Sequence, residues 1–279
     1  MIWHRVLNQV ENGITIIMVL VFCAPILWLL STAFKPNNLS ETIPPIWLVR
    51  PTLSNFQYVL GPANASSEAF SQMLLHSVEI SVVSGILVLG VSLMSAYAIT
   101  HMKLPGRENW AMWILSTRIL PPAVAVFPVF MLASRLNMLD TIWVLAIPYA
   151  VFNVPLTVWI LRTFMMAVPR QIDEAAMIDG AGHGYILWRI LVPLVRPGLA
   201  AAGIIATLLS WNELLFATVL TSHYAKPASV GVIEFINVYG FQWGHMAAAS
   251  IIILIPVAVL TVIARQNIVE GLSLGAVKG

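Results

Sequence analysis

The sequence predicts an all-α integral membrane protein with six transmembrane helices and both termini in the cytoplasm. Three observations lead to this prediction. First, 59% of the 279 residues are hydrophobic and 9% are charged, whereas a soluble domain carries about 25% charged residues. Second, the mean hydropathy is +0.88, so a soluble fold would lack the polar side chains to cover its surface. Third, the apolar residues form separate long runs, and roughly 20 helical residues cross a bilayer.

Six runs are long enough to cross the membrane: 14–34, 77–99, 110–133, 141–166, 198–220 and 246–265. The first is too long for the hydrophobic region of a signal peptide and ends without a small-residue cleavage site, so we expect a retained span. Residues 35–76 contain several prolines, which forbid a long helix and predict an extramembrane loop. The single cysteine, Cys23, excludes an internal disulfide framework.

Basic residues between the runs predict the orientation, because they are enriched in cytoplasmic loops. With the N-terminus inside, nine lie on the cytoplasmic side: Arg5, Lys103, Arg107, Arg162, Arg170, Arg189, Arg196, Arg265 and Lys278. Four lie on the other side: Lys35, Arg50, Arg135 and Lys226. The excess makes residues 35–76 extracytoplasmic and places the polar segment 169–197 in the cytoplasm. We expect one transmembrane domain, with a core bundle at 77–265 and a cytoplasmic tail at 266–279.

The polar segment contains DEAAMIDGAGHG, residues 173–184, an unusual density of carboxylates and glycines for so apolar a chain. Pro169 can begin a short helix, with Asp173 near its positive end. Gly180 permits a sharp reversal, and 185–192 can form a second short helix that ends at Pro193. Such a helix pair either presents a surface to a partner protein or packs on its own membrane domain, and the residues alone leave both open.

The same residues carry a resemblance to a known family. Their spacing is similar to the EAA loop of importer-type ABC transporter permeases, with Val192 where leucine is usual; the matching residues are Glu174, Ala175, Ala176, Gly180, Ile190 and Pro193. RILPP, SWNELLFATVL, WGHMAAAS and the terminal GLSLGAVKG also resemble the carbohydrate-uptake branch, which includes the second maltose-type permease subunit. The ordered matches extend over most of the chain.

The resemblance implies a coupling role and a set of partners. In that family the EAA loop docks on a cytoplasmic ATPase, so the implied contact residues are Glu174, Ala175, Ala176, Asp179 and Gly180. The implied assembly is a heterodimer with a second permease, two ATPase copies and an extracytoplasmic binding protein that delivers a carbohydrate, in a bacterial inner membrane. The chain has no G-x-x-x-x-G-K-[ST] loop, so we expect no enzyme activity and no bound cofactor, with ATP and magnesium on the partner ATPase. The tail 271–279 is expected either to reach the ATPase or to fray in solvent.

Two ionisable residues inside the predicted spans suggest a structural pair. Charged groups in a membrane usually face the bundle interior and find a partner. We expect Arg118 to pair either with Glu79 or with backbone carbonyls freed by Pro121 and Pro122.

The candidate substrate pathway contains Trp211, Asn212, Glu213 and Asn153. Polar groups can bind sugar hydroxyls and an aromatic ring can cover the apolar face of a sugar, although hydrogen bonds between helices would explain the same residues. The six histidines lack metal-ligand spacing, and neither a nucleophile–base set nor a nucleic-acid motif is visible. An ion-coupled secondary transporter and a non-transporting membrane assembly subunit remain as alternatives.

Overall fold

The computed structural model describes residues 2–276 except 41, 43, 45, 47, 48, 62–68, 238 and 239, with side chains described from 12 to 264, Asn237 excepted. The helices in this part of the chain are α1 (Ile2–Ala33), α2 (Ser54–Val59), α3 (Phe70–His101), α4 (Arg107–Ser116), α5 (Pro122–Arg135), α6 (Ile142–Met166), α7 (Gln171–Ile178), α8 (His183–Tyr185), α9 (Val192–Leu194), α10 (Arg196–Trp211), α11 (Leu215–Leu220), α12 (Ala228–Gly231) and α13 (Trp243–Ala276). Short 3₁₀ turns cover Asn37–Leu39, Thr117–Ile119 and Ile233–Phe235, and a π-helical turn covers Ile186–Leu191.

The helical membrane architecture agrees with the prediction. Four helical stretches are each long and apolar enough to cross a membrane: Asn12–Ala33, Phe70–His101, Ile142–Met166 and Trp243–Ala264. Two further pairs, Arg107–Ile119 with Pro122–Arg135 and His183–Leu194 with Arg196–Trp211, qualify only when each is counted as one span, and they bend by 85° and 84°. The described part of the chain therefore supports between four and six spans, and the sidedness of the termini stays a prediction.

The first bend changes the predicted span 110–133, and a separate break at residues 212–214 changes the predicted span 198–220. The first span bends where Pro121 takes an extended conformation after the 3₁₀ turn, because a proline disfavours helical conformation in the residue that precedes it. The second predicted run is divided, since α10 ends at Trp211 and α11 begins at Leu215. Both breaks put polar backbone at the depth of an apolar run, which a membrane protein tolerates only where protein or a cavity covers it.

The chain divides into two compact units. The first contains residues up to Phe70 together with Val232–Ile255. Within it, the Asn55 amide donates to the carbonyls of Ala33 (2.8 Å) and Lys35 (2.6 Å), which ties α2 to the end of α1. The antiparallel strands β1 (Ile236–Asn237) and β2 (Gly240–Phe241) precede α13, with Ile236 opposite Phe241.

The second unit contains Ser71–Gly231 and Pro256–Gly279. Helix α6 is its centre and packs against α4, α5, α10 and α11. One core cluster surrounds Leu145, Tyr149 and Phe216, and a second joins Leu161 to the segment after α7. The helices that hold the polar residues predicted from sequence are therefore packed together in this unit.

Asp140 links the α5–α6 turn to the loop after α11. Its carboxylate accepts hydrogen bonds from four successive backbone N–H groups, residues 222–225, at 2.9–3.1 Å, and from the Ser222 hydroxyl at 3.0 Å. Partial burial alone would raise its pKa, but the four N–H donors outweigh burial and lower the pKa from 3.8 to about 2. The ionised form therefore stabilises this end of the unit.

Candidate functional site

The polar segment between α6 and α10 forms two short helices joined by a glycine turn, as the sequence predicts. Helix α7 ends in a Schellman motif, because the N–H of Ala181 bonds the Ala176 carbonyl and the N–H of Gly180 bonds the Met177 carbonyl. Gly180 has φ +85°, a conformation that strains residues with a Cβ atom. The backbone conformation at this position therefore favours glycine whether or not a partner binds there.

The second half of the segment differs from the prediction in its ending. Helix α8 continues through the π-helical turn into α9, which includes Pro193 and ends at Leu194. Pro193 can sit inside because it occupies the first positions of α9, where its missing N–H is tolerated. The chain turns at Val195 instead, and α10 begins with Pro197 in its first turn.

One face of the segment is anchored to the C-terminal end of α3. His101 and Asp173 form a buried ion pair, and His101 Nε2 donates to the Met165 carbonyl at 3.1 Å. Both ring nitrogens of His101 therefore face oxygen atoms. Arg170 donates to the Thr100 carbonyl. These contacts hold the start of α7 against the membrane domain.

A second anchor fixes α8 and the turn after it. The Tyr97 hydroxyl and His183 Nδ1 share a hydrogen bond of 2.9 Å. Ile186 and Leu191 are fully buried in the same core cluster as Leu161. The segment therefore packs on its own membrane domain through this face.

The opposite face is exposed and partly apolar. Ile178 is 86% exposed, and Tyr185 and Trp188 are also largely exposed. Of the predicted contact residues, Glu174, Ala175, Asp179 and Gly180 are exposed, whereas Ala176 is half-buried and packs against the core cluster that contains Leu161. Large exposed apolar side chains beside small residues are typical of protein interaction surfaces. We call the exposed residues of 171–188 the coupling surface.

A second candidate site is a cleft of about 230 Å³ between α6, the bend before α5 and the break between α10 and α11. We call it the central cleft. Arg118 reaches it from the 3₁₀ turn and donates to the Phe152 carbonyl (2.5 Å) and to Asn153 Oδ1 (3.3 Å). Phe152 lies in the turn before Pro155, whose missing N–H weakens the helix there. The arginine is therefore held by backbone and amide oxygens.

A chain of polar contacts connects this arginine to two other helices. The Asn153 amide, which is buried, donates to Ser210 Oγ of α10 at 3.2 Å. Ser210 Oγ in turn contacts Ser84 Oγ of α3 at 3.0 Å. Four elements are thus joined in one hydrogen-bonded path inside the unit.

Glu213 and Tyr149 complete the polar lining of the central cleft. Glu213 lies in the break between α10 and α11, and both its carboxylate oxygens accept from the Phe216 N–H at 3.1 Å. The Tyr149 hydroxyl is buried and has no hydrogen-bond partner among the residues that the structure describes. Phe152 and Phe216 add aromatic rings, with centroids 5.4 Å apart. The cleft thus combines hydrogen-bonding groups with aromatic surfaces.

One of the residue roles predicted from sequence needs revision. The Arg118–Glu79 pair is wrong, because Glu79 is exposed on α3 while Arg118 contacts carbonyl and amide oxygens. The alternative of backbone carbonyls describes the contact, although the carbonyl comes from α6 rather than from the turn at Pro121–Pro122. Trp211 is buried outside the lining of the central cleft, and the Asn212 amide donates to the Leu208 carbonyl of its own helix; their role in a substrate pathway stays a prediction.

Tyr149, Ser210 and Ser84 were not singled out from the sequence. Their signal there is weak: hydroxyl groups within apolar runs, one of them directly after Pro148. The side chains of the C-terminal tail lie outside the described residues, and the backbone of α13 continues as a helix to Ala276.

Comparison with known proteins identifies the family. Residues 5–273 match the family of binding-protein-dependent transport system inner membrane components. The chain belongs to this family. It is a permease of the inner membrane, which agrees with the resemblance of its motifs and sets aside the ion-coupled transporter and the assembly subunit.

Several relatives of this permease are known by name. It is 32% identical over 262 residues to the probable ABC transporter permease protein y4oR of Sinorhizobium fredii, covering 94% of this chain and 92% of the relative. It is 30% identical to the trehalose/maltose transport system permease protein MalG of Thermococcus litoralis, covering 99% of both chains. The sulfoquinovosyl glycerol transport system permease protein SmoH of Agrobacterium fabrum is 30% identical, with 91% and 88% covered.

A solved structure shares the fold. A chain from the crystal structure of a bacterial ABC transporter involved in the import of the acidic polysaccharide alginate superposes with a TM-score of 0.77 at 21% identity. The match covers 94% of the permease and 96% of that chain.

Proposed function

We propose that this permease pairs with a second permease to form the pathway of an ABC importer for a carbohydrate delivered by a binding protein. Two copies of a separate ATPase subunit, which holds ATP and magnesium, drive the alternation of access. The permease itself binds no cofactor and catalyses no reaction. The observation that carries the proposal is the polar segment between α6 and α10. One face of it, the coupling surface, is exposed and partly apolar, and the opposite face is anchored to α3.

The two faces of the polar segment suit the transmission of movement. A partner that pushes on Ile178 and Trp188 acts on exposed side chains. The buried contact of Asp173 with His101 and the partly buried contact of His183 with Tyr97 pass the displacement directly to α3. The small side chains of Ala175 and Gly180 allow the partner backbone to approach closely.

The coupling role is tested with the complete transporter in proteoliposomes. The double variant Glu174→Lys/Gly180→Leu reverses an exposed charge and adds bulk on the coupling surface. We expect sugar uptake to fall at least tenfold while the ATPase subunits continue to hydrolyse ATP. Part of the effect arises from strain, because a residue with a Cβ at φ +85° costs about 1–2 kcal/mol.

The matched control is Arg135→Glu, an exposed charge reversal at the end of α5. It should leave both uptake and hydrolysis within twofold of the parent. Wild-type uptake by the Glu174/Gly180 variant would contradict a role of the coupling surface in transport.

The central cleft is the proposed contact site for the sugar. Asn153, Glu213 and the Tyr149 hydroxyl supply donors and acceptors for sugar hydroxyls. Phe152 and Phe216 supply flat apolar surfaces for the face of a sugar ring. The relatives named for trehalose, maltose and sulfoquinovosyl glycerol transport support a carbohydrate as the class of substrate.

The substrate role is tested by Glu213→Gln, which removes the charge and keeps the size of the side chain. We expect the KM for uptake to rise about tenfold, because a charge-assisted hydrogen bond contributes about 1.5–3 kcal/mol. The matched control is Asn212→Ala, one residue away, because Asn212 does not line the cleft. Equal KM values for the two variants would contradict direct contact between the sugar and Glu213.

A further inference from the structure

A basic cleft lies at the start of the polar segment 169–197, which we call the coupling segment, and is separate from the central cleft. Its volume is about 260 Å³, and its lining includes three guanidinium groups, from Arg107, Arg162 and Arg170, against the single carboxylate of Glu108. A neighbouring hollow shares Arg107, Glu108 and Arg170 and adds Lys103. The positive charge is therefore concentrated in one concave region.

Arg162 is held in place at the back of this region. Its Nη2 donates to Glu108 at 2.5 Å, and its guanidinium lies 5.3 Å from the centre of the Trp159 ring. Its Nε is buried and has no hydrogen-bond partner among the described residues. A buried N–H group without a hydrogen-bond partner is unfavourable. Binding of a ligand with an acceptor atom near Arg162 Nε would therefore be stabilising.

The other two arginines leave donors available at the mouth. Among the described residues, Arg170 donates to the Thr100 carbonyl through Nη2, and its other side-chain N–H groups make no hydrogen bond. Arg107 is exposed and makes no side-chain hydrogen bond or ion pair in the part of the chain that the structure describes. It also begins α4, where no side chain caps the helix, so the first N–H groups add positive potential. Planar guanidinium groups bind phosphate oxygens in pairs, which makes phosphate the matching anion.

The depth of the basic cleft favours a lipid as the source of the phosphate. It lies where the membrane-spanning helices α3 and α6 end, at the level expected for headgroups. Trp110 and Trp113 of the adjacent α4 are 50% and 62% exposed, as is common for aromatic residues at a membrane interface. A phosphate bound among the arginines would thus have apolar surface beside it for acyl chains.

We infer that the basic cleft binds the phosphate of an anionic phospholipid headgroup, coordinated by Arg107, Arg162 and Arg170. Basic pockets between membrane helices are suited to such headgroups. Arg170 directly precedes α7, so a bound lipid would contact the anchor of the coupling segment.

The experiment is a lipid titration of the full-length permease, copurified with its partner subunits in neutral detergent, followed by native mass spectrometry. Phosphatidylglycerol and phosphatidylcholine are compared. The test variant is Arg107→Gln/Arg170→Gln, and the matched control is Arg189→Gln/Arg196→Gln, which removes two exposed arginines outside the cleft. Arg162 is left unchanged because its pair with Glu108 contributes to packing.

We expect saturable phosphatidylglycerol binding to the parent and to the control. The test variant should bind about 25-fold more weakly, from about fivefold for each arginine near the membrane surface. Equal binding by the test and control variants would overturn the site. Displacement of the lipid by millimolar inorganic phosphate or glycerol phosphate would overturn the lipid assignment in favour of a soluble anion. Neither measurement requires transport, so the result is independent of the proposed function.

Discussion

Replacing Asp173 with alanine should destabilise the permease through the histidine that it leaves behind. The side chains of His101 and Asp173 are 1% and 4% exposed. Removing one partner of a buried ion pair typically costs about 3–5 kcal/mol, since the group left behind has neither water nor a hydrogen-bond partner. Because the pair lies at the end of α3, we expect the lower end of this range, about 3 kcal/mol.

The expected loss is large enough to measure by thermal unfolding. For a chain of this size, 3 kcal/mol corresponds to a fall in Tm of roughly 6–12 °C. Tryptophan emission of the purified transporter in detergent provides the signal, since the permease contains 10 tryptophans. Asp179→Ala is the control, because Asp179 is an exposed carboxylate of the same segment and should change stability by less than about 0.5 kcal/mol.

A double variant distinguishes the ion pair from simple packing. His101→Leu/Asp173→Leu removes both charges and fills the space with apolar groups, so it should recover most of the loss. The coupling energy of the cycle, with His101→Leu and Asp173→Leu as the single variants, should be about 2 kcal/mol or more. A double variant whose loss equals the sum of the single losses would refute the reasoning that the partner left behind is the cause.

Three further predictions concern other contacts. Gly198→Ala should lower the free energy of unfolding by about 1–3 kcal/mol, because the added Cβ would lie within 2.7 Å of three ring atoms of Phe164; Gly184→Ala, with open space around it, is the control in the same unfolding assay. Asp140→Asn should cost roughly 1–2 kcal/mol at neutral pH after allowance for partial exposure. Since the pKa of Asp140 is lowered to about 2 in the folded state, its contribution is complete above about pH 4 and is lost as the pH falls towards 2; a flat difference in Tm between parent and variant from pH 6 to pH 3 would contradict this. Arg118→Gln should reduce uptake at least tenfold while Tm changes little, because Arg118 is exposed to the central cleft; an equally large fall in Tm would instead indicate a structural role.

The long helices of the fold were predictable because their signal is local. Residues 77–99 and 141–166 are continuous apolar runs, and α3 and α6 contain them with little change. The glycine turn at Gly180 was also predictable, because a single residue type provides the conformation that the turn requires. Prolines indicated the break in the first bent span. The 85° angle between its two helical parts was not predictable from the sequence, because it depends on packing against other helices.

Partners that come from distant segments were not predictable in the same way. The acceptors of Arg118 lie 34 and 35 residues further along the chain. The charge of Glu79 suggested an ion pair with Arg118 instead, and this pair does not form. Tyr149 was overlooked because its neighbours are apolar, and only the packing of α6 shows that it lines the central cleft. His101 likewise gained a role only once α7 was placed against it.

Helix α3 has a mechanical consequence that depends on its length. Ser84 contacts the polar path of the central cleft, and His101 holds the coupling segment. The two residues are 17 positions apart, which corresponds to roughly 25 Å of rigid helix at about 1.5 Å per residue. A tilt of about 5° around Ser84 would therefore move His101 by roughly 2 Å, enough to break or remake a hydrogen bond. A small rotation of α3 near the central cleft would thus be sufficient to change the hydrogen bonding of His101 at its other end.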